Sequence, residues 1–98
     1  MQSEDIDIVE KIKKRIRAKS ETANEEVEDL INACKKELEM KGVHGDETDP
    51  MYYQAIVLYC KAHYGYDEDS ERFEKAYNSL RDSMYLSGNY EKKEGGEN

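Results

Sequence analysis

Apolar residues of this chain recur at helical spacing in four segments, and polar residues separate each segment from the next. The first segment, residues 3–19, carries a narrow apolar stripe, which predicts a helix that lies on the surface of a larger core. The second begins between Thr22 and Asn24, ends near Met40 and has a continuous apolar face. The apolar positions of these two segments are Ile8, Val9, Ile12 and Ile16, followed by Val27, Leu30, Ile31, Cys34 and Leu38.

The third segment, from residue 50 to about residue 64, is apolar on nearly every side. Its start signal is clear, because Asp49 is a favoured N-cap residue and Pro50 suits the first helical position. Only Gln54, Lys61 and His63 are frankly polar. A helix of this kind belongs at the centre of a bundle. Its expected core positions are Ala55, Ile56 and Tyr59.

The fourth segment begins at Asp69 or Ser70 and ends where Gly88 follows Ser87. Its apolar positions in register are Phe73, Ala76, Tyr77, Leu80 and Met84, of which Phe73, Tyr77 and Leu80 are expected in the core. Residues 91–98 carry no apolar side chain, so we expect a flexible, disordered polar tail. The sequence therefore predicts an all-α fold, a small bundle of three to four helices over residues 1–90.

The composition is short of aliphatic side chains for a folded domain. Sixteen of the 98 residues are Leu, Ile, Val or Phe, and the net charge is −8. A content below about 20% with high net charge is typical of disordered chains. The helical spacing argues against disorder here, and eight tyrosines add rings that can be buried. The composition therefore leaves open what supplies the rest of the burial.

Several classes of protein are disfavoured by the composition. The longest wholly apolar run, residues 55–58, is far too short to span a bilayer, so we expect no membrane association. The first residues lack the features of a signal peptide, and two cysteines are expected to be reduced thiols in a cytoplasm. An isoelectric point near 4.8 is not that of a free-standing nucleic-acid binder.

No motif for catalysis or for a cofactor stands out. The chain lacks a Gly-rich phosphate loop, a His-Glu-x-x-His pair and a Gly-x-Ser-x-Gly turn, so we expect no enzyme and no cofactor. Cys34, His44, Cys60 and His63 form a nominal two-Cys, two-His set, but their spacing is not that of a zinc finger. We favour the alternative that the cysteines are small buried hydrophobic residues and that no metal binds.

Residues 11–19 hold six basic side chains and no acidic one. Such a cluster on a helix can follow nucleic-acid phosphates. Two other interpretations are favoured over that one. The cluster can solvate a surface helix and complement its dipole, or it can pack against an acidic region of an identical copy. Residues 1–23 carry six basic and five acidic groups, whereas residues 24–50 carry three and nine.

Tyrosine and basic residues supply the candidate contacts with partners. Eight tyrosines are many for one small core, and tyrosine is enriched at protein interfaces. The candidate interface residues are Lys11, Lys14, Arg15, Tyr52, Tyr53, Tyr85, Tyr90, Lys92 and Lys93.

Three stretches resemble the head–tail connector proteins, also called neck adaptor or DNA-packaging proteins, of tailed phages and prophages. One stretch, residues 25–38, reads Glu-Glu-Val-Glu-Asp-Leu-Ile-Asn-Ala-Cys-Lys-Lys-Glu-Leu after a short helix. Another, residues 53–64, is similar to an apolar helix of the family that ends in Ala-His-aromatic. The third, residues 73–90, precedes a polar tail. Gly65 and Tyr66 stand where the family often has acidic or asparagine-rich residues, so the turn there is expected to differ.

The resemblance implies a subunit without catalytic residues that assembles, about twelve-fold, into a ring. The subunit can be monomeric in isolation. The ring docks on the portal after packaging, extends the DNA channel and receives the next neck or tail component, while residues 90–98 reach toward the portal. The implied location is the virion neck, after assembly in the cytoplasm of a bacterial host. DNA is expected to pass without specific binding, and acidic residues are expected to line the channel and repel its phosphates.

Two other functions stay open. One is a small cytoplasmic helical protein that regulates or adapts another protein. The other, less favoured, is a DNA-binding module that uses the basic first helix.

Overall fold

The structure is a computed structural model that describes residues 3–18, 23–64 and 68–92. Within these ranges the chain forms four α-helices and no strand, so the predicted all-α bundle is confirmed. The helices are α1 (Ser3–Ile16), α2 (Ala23–Met40), α3 (Pro50–His63) and α4 (Ser70–Ser87). Outside the described residues lie Lys19, Thr22, the Gly65–Tyr66 turn and, of the predicted tail, residues 93–98.

Helix α3 lies at the centre of the bundle and contacts α1, α2 and α4. Most of its apolar surface is thereby covered, with Ile56, Val57 and Cys60 fully buried, whereas Met51 in its first turn is 48% exposed. Helices α1 and α2 also pack on each other. The described buried residues are Ile8, Ile12, Ala18, Ala23, Val27, Ile31, Cys34, Leu38, Val43, Tyr52, Ala55, Ile56, Val57, Cys60, Tyr77 and Met84.

Most positions expected in the core contribute to it. Buried among them are Val27, Ile31, Cys34, Leu38, Ala55, Ile56 and Tyr77. Partly buried and packed against this core are Leu30, Tyr59 and Leu80. Phe73 is partly buried, whereas Ala76, which shares the apolar register of α4, is exposed. The two buried residues of α4 are Tyr77 and Met84, so α4 covers α3 with a narrow face and leaves the rest of its surface in solvent.

Helix α2 ends in a Schellman motif built on Gly42. Gly42 has a φ of 86° and is the C′ residue, as its position in the sequence predicts. The amide of Val43 donates to the carbonyl of Leu38 at 2.8 Å, and the amide of Gly42 donates to the carbonyl of Glu39 at 3.1 Å. Because this turn brings Val43 back onto Leu38, both side chains are fully buried. Val43 follows the end of α2 and lies outside the helices, yet its side chain is part of the core.

Helix α1 ends in the same motif without a glycine. Arg17 has a φ of 63°, and the amide of Ala18 donates to the carbonyl of Lys13 at 2.9 Å. The helix therefore stops at Ile16, earlier than the expected end near Lys19. The left-handed conformation costs a residue with a side chain roughly 1–2 kcal/mol. The turn buries Ala18 in return.

The connection from α2 to α3 is closed at both ends by hydrogen bonds. Asp49 is the N-cap of α3, and its carboxylate accepts from the amides of Met51 at 2.8 Å and Tyr52 at 3.5 Å. The amide of His44 donates to the carbonyl of Tyr90 at 2.7 Å. The segment that follows α4 is therefore attached to the α2–α3 connection.

The hydroxyl of Tyr77 is buried and has no hydrogen-bond partner within the described part of the chain. Burial raises the pKa of Tyr77, and the neighbouring Cys34 thiol raises it further. The thiol lies beside the hydroxyl, but a thiol is only a weak hydrogen-bonding group and does not satisfy it. An unsatisfied buried hydroxyl costs about 1–3 kcal/mol of stability.

We expect Tyr77→Phe to raise the free energy of unfolding by about 1 kcal/mol, because it removes the unpartnered hydroxyl and keeps the ring. The edge-to-face contact with Tyr59, at 5.3 Å between ring centroids, is retained. Urea unfolding followed by circular dichroism measures the change. Tyr85→Phe is the matched control, because the hydroxyl of an exposed tyrosine is solvated in both states. A destabilised Tyr77→Phe variant would show that the hydroxyl has a partner that stabilises the fold.

Candidate interaction surfaces

One face of the molecule carries five cations, which we call the basic surface: Lys11, Lys14, Arg15, Arg17 and Lys61. The four on α1 and its C-terminal turn are exposed, and Lys61 of α3 is partly buried. None of the five forms an ion pair with a side chain of residues 8–18, 23–64 or 68–92. The guanidinium of Arg15 lies 6.0 Å from the ring centroid of Tyr53, which holds this cation over α3.

The basic surface borders a cleft of about 290 Å³ where the ends of α1 and α3 meet the start of α4. Its cationic lining consists of Arg15, Arg17 and Lys61, and Tyr64 and Phe73 supply aromatic walls. The ammonium of Lys61 lies 5.1 Å from the centroid of the Phe73 ring. Asp69, the acidic residue of the lining, forms an ion pair of 3.3 Å with Arg72. The cleft therefore suits an anionic group such as a carboxylate or a phosphate.

A second charged face, the acidic surface, lies on the N-terminal half of α2. It comprises the four exposed carboxylates Glu25, Glu26, Glu28 and Asp29, none of which is ion-paired within the described ranges. Glu25 and Glu26 stand in the first turn, where they stabilise the positive end of the helix dipole. Glu28 and Asp29 lie beyond that turn, so helix capping does not account for them.

The apolar end surface lies where α2 and α4 end, and it consists of Met40, Tyr85 and Leu86. Met40 is 75% exposed, Tyr85 57% and Leu86 79%. The ring of Tyr85 lies against Gly42, with Cε1 2.9 Å from the place where a Cβ would stand on that residue. Large apolar side chains exposed together are typical of surfaces that bind another protein.

The expected interface residues fall on different parts of the structure. Lys11, Lys14 and Arg15 lie on the basic surface, and Tyr85 lies on the apolar end surface. Tyr53 is partly buried beneath Arg15, Tyr90 is partly buried against the core, Lys92 is exposed, and Lys93 lies outside the described residues.

Tyr52, which the sequence analysis also places at a partner interface, is only 4% exposed in this subunit. Its ring packs against Gly45, and burial raises the pKa of its hydroxyl to about 12. Sequence reasoning also missed Met40 and Leu86. Both fall outside the apolar register of their helices, and an apolar residue out of register is the signal that identifies them.

The nominal metal set does not come together. Cys34 and Cys60 are fully buried, whereas His63 is exposed with its ring 4.3 Å from that of Tyr59. Burial raises the pKa of Cys60 to about 12 and also raises that of Cys34, so both thiols are neutral at pH 7. Across the described ranges, no three His, Cys, Asp or Glu side chains are grouped to hold a metal ion. None of the described helices is long and apolar enough to cross a membrane.

Comparison with known protein families identifies the group to which this arrangement belongs. The family model described as "Phage connector protein" matches residues 8–91, which include α1 from Ile8 onward and the whole of α2, α3 and α4. The chain belongs to the phage connector family. The resemblance found in the residues is thereby confirmed. Searches of curated proteins and of solved structures gave no significant match.

Membership gives this connector protein a structural, non-enzymatic role as a component of a phage particle. All residues of the three surfaces lie within the matched region, so the surfaces belong to the connector domain itself.

Proposed function

We propose that this connector protein is a subunit of a ring that docks on the phage portal, extends the DNA channel and receives the next neck or tail component. The observation that carries the proposal is the family match over residues 8–91. In this proposal the ring stands in the virion neck and is assembled in the cytoplasm of the bacterial host.

The apolar end surface supports docking on another protein. Met40, Tyr85 and Leu86 expose apolar side chains at the end of the bundle where the chain leaves α4. The hydrogen bond between His44 and Tyr90 keeps Tyr90 near this end. We assign the portal contact to the apolar end surface together with Tyr90 and Lys92.

The charge of the subunit supports passage of DNA rather than binding. A net charge of −8, repeated around a ring, repels phosphates over several ångströms from the channel wall. In this proposal acidic side chains line the channel, and the basic surface is not part of the channel wall. A ring with Lys14 and Arg15 lining its channel would contradict this part of the proposal.

Sedimentation of the purified chain with capsids tests the docking step. We expect the chain to co-sediment with DNA-filled, portal-bearing capsids of the phage that encodes it, and not with shells that lack a portal. Replacing Tyr85 and Leu86 by Ser is expected to weaken binding about tenfold or more, since apolar contacts at an interface centre dominate its energy.

Ser79→Asp is the matched control on the same helix, because Ser79 is exposed and lies away from the end of α4. Equal binding to portal-free shells would contradict portal docking. Unchanged binding of the Tyr85→Ser, Leu86→Ser variant would assign the contact to another surface.

A further inference from the structure

We propose that neighbouring copies of this chain are joined by the basic surface of one copy against the acidic surface of the next. This inference rests on the proposed ring and names the residues that hold its subunits together. The carboxylates of Glu28 and Asp29 face Lys14 and Arg15 of the adjacent copy. One carboxylate of this acidic surface enters the cleft of the adjacent copy, beside its Arg17 and Lys61.

The first support is that neither surface has an ion pair to a side chain of residues 8–18, 23–64 or 68–92. Some charges elsewhere in the bundle are paired, as in Lys35–Glu47 at 2.8 Å and Arg81–Glu37 at 3.0 Å. The basic surface holds five cations and the acidic surface holds four carboxylates. Two surfaces of opposite sign and similar charge complement each other.

The second support is the position of the two surfaces. The ammonium of Lys13, at the end of α1, donates to the side-chain oxygen of Asn24, at the start of α2, at 2.6 Å. The basic surface and the acidic surface therefore lie at the same end of the α1–α2 pair, on different helices. Subunits of a closed ring are related by rotation alone, so a patch on one copy can meet only a patch that lies at the same height on its neighbour. The arrangement fits that geometry.

The third support is that the carboxylates favour a second copy of the chain over nucleic acid. A DNA strand lying along α1 would bring its phosphates toward the acidic surface at the start of α2, which repels them. A second copy offers its own carboxylates instead. Single exposed ion pairs contribute little, so we expect a contact that needs several pairs and weakens with salt.

Exchange of charges between the surfaces tests the interface. One variant carries Lys14→Glu and Arg15→Asp, and another carries Glu28→Lys and Asp29→Arg. The third variant combines all four changes and keeps the wild-type net charge of −8. The matched control, Lys36→Glu with Lys41→Glu, changes two exposed lysines of the α2 region and lowers the net charge as much as the first variant does.

The readout is the number of copies bound per DNA-filled, portal-bearing capsid, with circular dichroism confirming that each variant is folded. We expect each two-residue variant to lose about tenfold or more in bound copies at low salt. The four-residue exchange is expected to recover them, and the control is expected to bind as the wild type does. Because the exchange variant has the wild-type net charge, its recovery of capsid binding reports restored pairing at the interface and not a change in overall charge.

The outcomes separate this inference from the proposed function. Normal binding by both two-residue variants would overturn the interface and leave portal docking intact. Failure of the four-residue exchange to restore binding would also overturn the interface and leave portal docking intact. A wild-type chain that binds no capsid would contradict the proposed function. Sedimentation velocity of the free chain would then test the interface. Salt-sensitive self-association that is lost in the two-residue variants and recovered in the four-residue exchange supports the interface. A wild-type chain that is monomeric at all concentrations overturns it.

A mobility-shift assay with random duplex DNA covers the nucleic-acid alternative. Binding at low salt that disappears with Lys14→Glu and Arg15→Asp would assign the basic surface to DNA and overturn the inference. We expect no shift for the wild-type chain.

Discussion

Leu38→Ala is expected to lower the free energy of unfolding by about 2–5 kcal/mol, because it removes buried methyl groups and leaves a cavity. Leu38 is fully buried, and it receives Val43 through the turn at the end of α2. A domain of this size buries only about two-thirds of the surface of its unfolded chain, so its stability is small. The loss is therefore expected to unfold a measurable fraction of the protein at 37 °C.

Urea unfolding followed by circular dichroism measures this loss. Leu86→Ala is the matched control, since the same atoms are removed from a side chain that is 79% exposed. We expect that control to change stability by less than about 0.5 kcal/mol. Similar losses for the two variants would mean that Leu86 is covered in solution, for instance by another copy of the chain.

Gly42→Ala is expected to cost about 2 kcal/mol, more than the same change at Gly88. Both glycines have positive φ, 86° for Gly42 and 78° for Gly88. Backbone strain from an alanine at either position therefore lowers stability by roughly 1–2 kcal/mol. At Gly42 the new Cβ would also lie 2.9 Å from the ring of Tyr85, whereas at Gly88 the nearest atom is 3.9 Å away. The ring of Tyr85 must therefore move in the Gly42→Ala variant.

A double-mutant cycle separates the two contributions. When Tyr85→Ala has removed the ring, Gly42→Ala is expected to cost no more than Gly88→Ala does, because backbone strain alone is left. Urea unfolding of the four variants measures the coupling. An equal cost of Gly42→Ala with and without the ring would show that Tyr85 does not pack on this turn.

Local signals predicted the helices well. Asp49 and Pro50 mark the start of α3, and Gly42 marks the end of α2, because capping depends on residues that are adjacent in sequence. The central place of α3 followed from its composition, since a helix apolar on all sides must be covered on all sides.

Burial that depends on the α2–α3 connection could not be predicted in this way. Val43 is buried because the turn at the end of α2 folds it inward, and Tyr52, in the first turn of α3, is buried with its ring against Gly45 of the connection. Periodicity carries no information about such turns. The early end of α1 has the same origin, because Arg17 adopts a conformation that sequence patterns assign to glycine.

The surfaces were only partly predictable. Lys14 and Arg15 were found from the run of basic residues, since a charge cluster is visible in the sequence itself. The contribution of Lys61 was not, because α3 brings it to the end of α1 only in the folded bundle. Whether two such surfaces meet depends on the shape of both copies, and no single-chain pattern contains that information.

The hydrogen bond between His44 and Tyr90 sets a limit on distance. It fixes the point from which the chain departs after α4, and Lys92 is two residues further along. A fully extended chain advances at most about 3.6 Å per residue, so the backbone of residues 93–98 reaches no further than about 22 Å from Lys92. Any protein that the backbone of these six residues touches must therefore approach Lys92 to about that distance.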